Sequence, residues 1–137
     1  MSVVVHGALF RIQDASPKPE LSDVLLRLSA ARYRIGCEYD LQAGVEKILQ
    51  GCGVPFVREY VLSTSDRPDF FLPDLNAVLE IKVDGSSAML LRQIARYAQH
   101  ASVQDIVVIG TPGWIARLPI SLQSKPVHSI RLISSLL

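Results

Sequence analysis

The segment that most constrains the fold of this chain is residues 105–110, DIVVIG, where four apolar residues follow one another without a polar one between them. A strand with one face in water alternates apolar and polar residues, whereas a strand buried on both faces is apolar throughout. Strands of the second kind belong to α/β proteins, whose sheets are covered by helices on both sides. We therefore predict a buried strand at 105–110 in a sheet flanked by helices.

The rest of the chain supplies the helices and strands that such a fold needs. Apolar residues at helical spacing predict two helices in the first half of the chain and a third immediately N-terminal to residues 105–110. Turn-forming residues between the second and third helices join two strands into a hairpin. This order predicts an α/β fold with a mixed β-sheet flanked by helices. The predicted elements are strand 3–12, loop 14–19, helices 20–33 and 37–52, strand 54–62, a hairpin of 67–72 and 77–83, helix 88–100, strand 105–110 and strand 127–133.

Length and composition predict one domain spanning residues 1–137. Of the 137 residues, 49% are hydrophobic, which is enough to form the core of a single domain. No run of about 18 uncharged apolar residues occurs, so we predict no membrane span. The start of the chain does not resemble a signal peptide. Cys37 and Cys52 lack a CxxC spacing, which argues against a zinc site and a disulfide framework, and we expect a cytoplasmic protein.

The charged residues are unevenly distributed along the chain. Residues 38–110 carry ten acidic and six basic side chains, whereas residues 111–137 carry three basic and no acidic ones. An acidic middle is not typical of a protein that binds nucleic acid through bulk positive charge. It suits a site where carboxylates hold metal ions and basic flanks contact phosphate, although charge alone does not exclude a chance distribution.

Two carboxylates and one ammonium group are expected to meet on the predicted hairpin. Glu80 and Lys82 are two apart in the strand 77–83, so their side chains project from the same face. Pairing of the two strands brings Asp69 beside Glu80. Paired carboxylates bind Mg²⁺ or Mn²⁺, and an ammonium group beside them can orient a water molecule. Taken alone, however, a Glu and a Lys two apart more often form a solvent-exposed salt bridge.

Pro68-Asp69 followed by Glu80-Ile81-Lys82 resembles the signature of the PD-(D/E)XK nuclease superfamily, which includes restriction endonucleases and Holliday-junction resolvases. The predicted element order over residues 38–111 also resembles the core of that superfamily. The resemblance implies a restriction-endonuclease-like core and a metal-dependent nuclease that hydrolyses phosphodiester bonds in DNA. It also implies that Asp69, Glu80 and the backbone carbonyl of Ile81 bind the metal, and that Lys82 serves the attacking water.

The helix 88–100 carries a second motif. Gln93 and Tyr97 are four apart and therefore share one face of that helix. This pair resembles the QxxxY motif of RecB-like nucleases, in which the Gln and the Tyr help to orient the catalytic groups or the substrate. We therefore add Gln93 and Tyr97 to the predicted catalytic residues. The alternative is an amphipathic helix whose polar residues are merely exposed.

Many members of the superfamily also place a glutamate on the first core helix, facing the metal. Glu38 is the best-placed candidate for this ligand, because it is centred on the apolar stripe of the helix 37–52 and lies at its N-terminal end. The alternative is that its charge merely suits the helix dipole. Gln42 and Glu46 are the other candidates for this position. If the position falls at Gln42, the third acid is missing from the site.

Three functions are compatible with these patterns: an active deoxyribonuclease, an inactive nuclease-fold module that binds nucleic acid or protein, and a structural α/β domain with a coincidental motif. The patterns leave open whether cleavage is internal or from an end, and which DNA structure is preferred. The apolar tail 130–137 favours a homodimer if it is exposed, and it can equally pack on its own sheet. Four arginines near the predicted site either contact phosphate or lie on solvated faces: Arg58, Arg67, Arg92 and Arg96.

Overall fold

The computed structural model describes residues 2–5, 8–11 and 19–133. These residues form three α-helices, a six-stranded mixed sheet and a separate two-stranded hairpin. The helices are α1 (Leu21–Ala30), α2 (Glu38–Cys52) and α3 (Ser87–Ala98), with a 3₁₀-helix at Gly113–Arg117. The strands are β1 (Ser2–Val5), β2 (Ala8–Arg11), β3 (Val57–Arg58), β4 (Phe70–Leu72), β5 (Ala77–Lys82), β6 (Asp105–Gly110), β7 (Ser121–Leu122) and β8 (Lys125–Arg131).

The six-stranded sheet has the strand order β3-β4-β5-β6-β8-β7. Strands β3, β4 and β5 pair antiparallel in succession, whereas β5, β6 and β8 run parallel. The last strand, β7, is antiparallel to β8. Parallel neighbours need a long crossover connection, and α3 provides it between β5 and β6. The predicted α/β class with a mixed sheet flanked by helices is therefore confirmed.

The apolar residues of β6 are fully buried, as the uninterrupted apolar run predicted. Their side chains alternate between two cores on opposite sides of the sheet. Val107 and Ile109 pack with α1 and α2, and Ile106 and Val108 pack with α3. Strand β5 is divided in the same way, with Val78 on the side of α3. Because side chains on one face of a strand are two residues apart, positions 80 and 82 also face α3.

The single strand predicted at 3–12 is wrong. Strands β1 and β2 pair antiparallel with each other, with Ser2 opposite Arg11 and Val5 opposite Ala8, in a sheet separate from the main one. A continuous run of β-forming residues does not show whether it pairs with itself or with a distant strand. Gly7, a residue typical of turns, was the sequence signal for a hairpin. Residues 14–18 of the predicted loop lie outside the described residues.

The strand predicted at 54–62 is much shorter, because only Val57–Arg58 pairs with β4. Pro55 has no N–H to give to a sheet, and Glu59 has a φ of 50°, which ends the extended backbone. The last strand, Lys125–Arg131, begins and ends two residues earlier than the predicted 127–133. These differences leave the order of the main elements unchanged.

No helix in the described part of the chain is long and apolar enough to cross a membrane. The apolar tail is described only as far as Ile133, which is exposed. Residues 134–137 lie outside the described residues. The homodimer remains a prediction.

Candidate active site

The pairing of β4 with β5 brings Asp69 beside Glu80. Phe70 lies opposite Leu79, so Asp69, which comes immediately before β4, lies next to Glu80 at the open end of the hairpin. The Oδ2 atom of Asp69 accepts a hydrogen bond of 2.7 Å from the backbone N–H of Ile81. The hairpin therefore places two carboxylates side by side and fixes one of them through the main chain.

Two side chains of α3 hold the carboxylate of Glu80, which is only 3% exposed. Gln93 Nε2 donates to Glu80 Oε1 at 3.1 Å, and the Tyr97 hydroxyl donates to Glu80 Oε2 at 2.9 Å. Gln93 Nε2 also lies 2.9 Å from the Tyr97 hydroxyl. Burial, followed by the nearby charge of Glu80, raises the pKa of Tyr97, so its hydroxyl keeps the proton that it donates. The two residues of the QxxxY motif thus contact Glu80 itself.

Lys82 lies on the same face of β5 as Glu80. Its Nζ is 4.0 Å from Glu80 Oε1, and its side chain is 27% exposed. Gly110 lets β6 come close at this point, because a Cβ there would overlap the carbonyl oxygen of Lys82. The ammonium group of Lys82 is thus close to Glu80 and at the same time partly open to solvent.

The surroundings of Asp69 and Glu80 favour the protonated form of both carboxyl groups over the charged form. Burial raises the pKa of Asp69, and the charge of Glu38 raises it further against the opposing hydrogen bond from Ile81. Burial also raises the pKa of Glu80, and the neighbouring Asp69 adds to this effect. Lys82 lowers both pKa values but does not offset these causes. A bound cation would instead stabilise the charged form of both groups.

The atoms available at this pair fit a hard divalent cation. All the donors are oxygens, which Mg²⁺ and Mn²⁺ prefer. The carbonyl of Ile81 points to the same side of β5 as its N–H, and that side faces Asp69. Residues 19–133 contain no group of three or more His, Cys, Asp or Glu side chains arranged to hold a metal.

A cavity of about 430 Å³ adjoins the site through Lys82 and Gln93, whereas Asp69 and Glu80 themselves do not line it. Glu38, Lys82 and Gln93 line it together with Arg92 and Arg96. Glu38 is the first residue of α2 and is half-buried, so it lies at the edge of the site and not in open solvent. Cavities of this size are typical of ligand sites.

The other two candidates for the helix acid have different partners. Gln42 Nε2 donates to Asp69 Oδ1 at 3.2 Å. Glu46 forms a 3.1 Å ion pair with Arg58 and is therefore directed to the edge strand β3. Of the three candidates, Glu38 is the one that lines the cavity.

The arginines of α3 differ in their contacts, although their positions in the sequence did not distinguish them. Arg96 Nε donates to Asp66 Oδ1 at 2.8 Å, and His100 lies 3.0 Å from the other oxygen of Asp66. Arg92 forms no side-chain hydrogen bond or ion pair with the residues that the structure describes and faces the cavity. Asp66 was not predicted from the sequence, because no pattern connects it to an arginine 30 residues away.

The metal-free protein is expected to become less stable as the pH rises above the ordinary carboxyl range. The pKa values of Asp69 and Glu80 are higher in the folded chain than in the unfolded one. The folded state therefore binds more protons, and the free energy of unfolding falls from about pH 4 upward through the raised pKa values. Urea unfolding in chelator between about pH 5 and 8 measures this decline. Glu80→Gln should make the decline of the unfolding free energy with pH less steep, whereas the exposed Asp84→Asn should not change it. An equal decline in the wild type and both variants would show that Asp69 and Glu80 are not its cause.

Comparison of the chain with protein-family models, curated proteins and solved structures finds no match. The positions of the residues are therefore the basis for inferring a function. The structure brings five of the predicted residues into one cluster and places Glu38 at the edge of the adjoining cavity. The clustered side chains are those of Asp69, Glu80, Lys82, Gln93 and Tyr97.

Proposed function

We propose that this chain is a divalent-metal-dependent nuclease that hydrolyses phosphodiester bonds in DNA, with a restriction-endonuclease-like core. The observation that supports this most strongly is the half-buried Asp69 beside the buried Glu80, with the partly exposed Lys82 next to them. Burying carboxylates beside each other destabilises a fold unless a cation or another partner compensates them. Such a pair, in contact with residues that line a cavity, is typical of a functional site.

In this proposal the metal is Mg²⁺ or Mn²⁺, held by Asp69, Glu80 and the carbonyl oxygen of Ile81. Glu38 contacts it directly or through water. When bound, the ion stabilises negative charge on the scissile phosphate and lowers the pKa of water. Lys82 orients the attacking water and stabilises charge that develops on the phosphate oxygens. Carboxylate and carbonyl oxygens are the ligands that a hard cation prefers, and an ammonium group stabilises negative charge.

The substrate strand lies in the cavity next to the carboxylate pair. Arg92 faces this space without an ion-pair partner among the described residues, so its guanidinium is available for a phosphate. Arg96 donates through Nε to Asp66 and through Nη1 to the carbonyl of Arg92, which leaves Nη2 as a further donor. Such contacts fix the position of the DNA backbone without reading its sequence.

The direct test is cleavage by the purified full chain with Mg²⁺, Mn²⁺ or chelator. Linear, nicked, branched and single-stranded DNA are compared, with a matched RNA as the control substrate. We expect cleavage of at least one DNA form with either metal and none in chelator. A folded protein that leaves every DNA form intact with both metals would overturn the proposal.

The second candidate is an inactive nuclease-fold module that binds nucleic acid or protein. The observation in its favour is that every oxygen of Asp69 and Glu80 already accepts a hydrogen bond within the chain. Fluorescence anisotropy with labelled DNA separates the two candidates. Binding without cleavage under all metal conditions would support the second candidate.

Removing the side-chain donors to Glu80 should slow cleavage while leaving the fold in place. Gln93→Ala and Tyr97→Phe each remove one hydrogen bond to this carboxylate, and loss of a group that orients a metal ligand typically costs about tenfold or more in activity. The aromatic ring of Tyr97 is kept in Tyr97→Phe, so the unfolding free energy should fall by only about 1 kcal/mol. Cleavage rates and thermal unfolding measure the two effects.

The matched controls are Gln99→Ala at the exposed C-terminal end of α3 and Tyr60→Phe, whose ring stacks on Phe71. Both controls should cleave at the wild-type rate. If Gln93→Ala and Tyr97→Phe unfold at much lower temperature yet show normal activity per folded molecule, the two residues are structural.

A further inference from the structure

Arg58, on the edge strand β3, is held by contacts from two other elements although its side chain is 37% exposed. One terminal nitrogen donates to Gln42 Oε1 at 3.0 Å, and the other donates to Glu46 Oε2 at 3.1 Å. The guanidinium also lies 5.4 Å from the ring centre of Phe70. Gln42 and Glu46 are one turn apart on α2 and therefore present one face to Arg58. These contacts restrict the guanidinium to one position.

The position of Arg58 decides which way the amide of Gln42 points. A guanidinium has donors and no acceptor, so only the oxygen end of an amide can face it. The Nε2 end of Gln42 is therefore turned away from Arg58, and it donates to Asp69 Oδ1 at 3.2 Å. The other oxygen of Asp69 accepts from the backbone of Ile81. Both oxygens of Asp69 are thus held, one by the main chain and one by a side chain.

We propose that Arg58 and Gln42 form a positioning relay to Asp69. Arg58 fixes the orientation of the Gln42 amide, so that α2 presents a hydrogen-bond donor and no metal-binding oxygen to Asp69. Without Arg58 the amide oxygen of Gln42 loses its partner, and only the hydrogen bond to Asp69 opposes a turn that would bring this oxygen against the carboxylate. The consequence for metal affinity rests on the proposed function, whereas the orientation of the amide does not.

The first experiment follows the side-chain amide signals of Gln42 by NMR in the metal-free protein, assigned by their loss in Gln42→Met. Arg58→Met keeps an unbranched apolar stem over Phe70 and removes the donors, so the fold is retained. We expect it to shift the signals toward those of a free glutamine. Glu46→Gln, which removes the charge of the other partner of Arg58 and keeps an acceptor oxygen, should leave them in place. Unchanged signals in Arg58→Met, or equal shifts in both variants, would overturn the relay.

The second experiment measures Mn²⁺ binding by calorimetry. Arg58→Met and Gln42→Met should each weaken binding by about tenfold, the usual effect of losing a group that orients a metal ligand. The double variant should bind no more weakly than Gln42→Met, because both residues act through the same hydrogen bond to Asp69. Gln42→Glu should strengthen binding, since a third carboxylate replaces the amide donor. Additive losses in the double variant would contradict the relay.

The two experiments separate failure of the relay from failure of the proposed function. A wild-type protein that binds no Mn²⁺ and cleaves no DNA would end the metal-dependent nuclease proposal. The NMR comparison would still decide the relay, because it needs neither metal nor substrate. Conversely, metal-dependent cleavage with unshifted Gln42 signals in Arg58→Met would preserve the function and exclude the relay.

Discussion

Glu80→Gln and Asp69→Asn are each expected to reduce DNA cleavage by about a thousandfold or more while leaving the fold intact. A metal ion contributes several kcal/mol to transition-state stabilisation, and this range of energies converts into a factor of that size. Both substitutions keep the shape of the side chain and remove a negative charge from a buried pair whose pKa values are raised. The new amide loses one of the accepted hydrogen bonds, which offsets the gain from the lost charge, so the free energy of unfolding at neutral pH should change by only about 1 kcal/mol.

Single-turnover cleavage assays and urea unfolding of the same preparations measure both effects. Asp23→Asn on α1 is the matched control, because this exposed carboxylate does not line the cavity and contacts neither Asp69 nor Glu80 in any described hydrogen bond or ion pair. It should cleave within about twofold of the wild type, the spread expected for surface changes of a few tenths of a kcal/mol. Near wild-type turnover by either Glu80→Gln or Asp69→Asn would refute the site.

Lys82→Ala is expected to lose cleavage by about a hundredfold or more and to keep metal binding. General acid–base assistance and positioning of water contribute factors of this size, and an ammonium group is not a metal ligand. The 4.0 Å separation between Lys82 and Glu80 makes a weak ion pair, so the fold should tolerate its loss. Removing a positive charge near Asp69 and Glu80 should leave Mn²⁺ affinity equal or higher.

Calorimetric titration with Mn²⁺ and cleavage assays on one preparation give both values. Lys47→Ala, on the exposed surface of α2, is the control for loss of a lysine. Lys82→Arg should not restore full activity, because a planar guanidinium does not replace a compact ammonium group. Loss of Mn²⁺ binding in Lys82→Ala would assign the lysine to metal binding and exclude the proposed role.

The parts of the site that the sequence predicted depend on short separations along the chain. Glu80 and Lys82 share a face because side chains two apart in a strand point the same way, and the structure has them on the side of α3. Gln93 and Tyr97 share a face of α3 because they are four apart, and they meet at Glu80. The turn at 73–76 fixed which residues of β4 and β5 lie opposite each other.

Local patterns were insufficient where a segment had more than one possible partner. The run of β-forming residues at 3–12 paired within itself, and the strand at 54–62 was limited by Pro55 and the positive φ of Glu59. Hydrophobic pattern shows that a residue is buried or extended, but it carries no information about the element that covers it. Strand order and the lengths of edge strands were therefore not predictable.

The sequence by itself determined the buried strand β6, the residues that share a face of β5 and the residues that share a face of α3. Periods of 2 and 3.6 residues are properties of the backbone, and they can be read without knowing the packing. Only the tertiary structure decided that Gln42 meets Asp69, that Arg58 meets Gln42 and that Asp66 meets Arg96. These pairs are 16 to 30 residues apart on separate elements, and their meeting depends on how α2, β3 and α3 pack against the sheet.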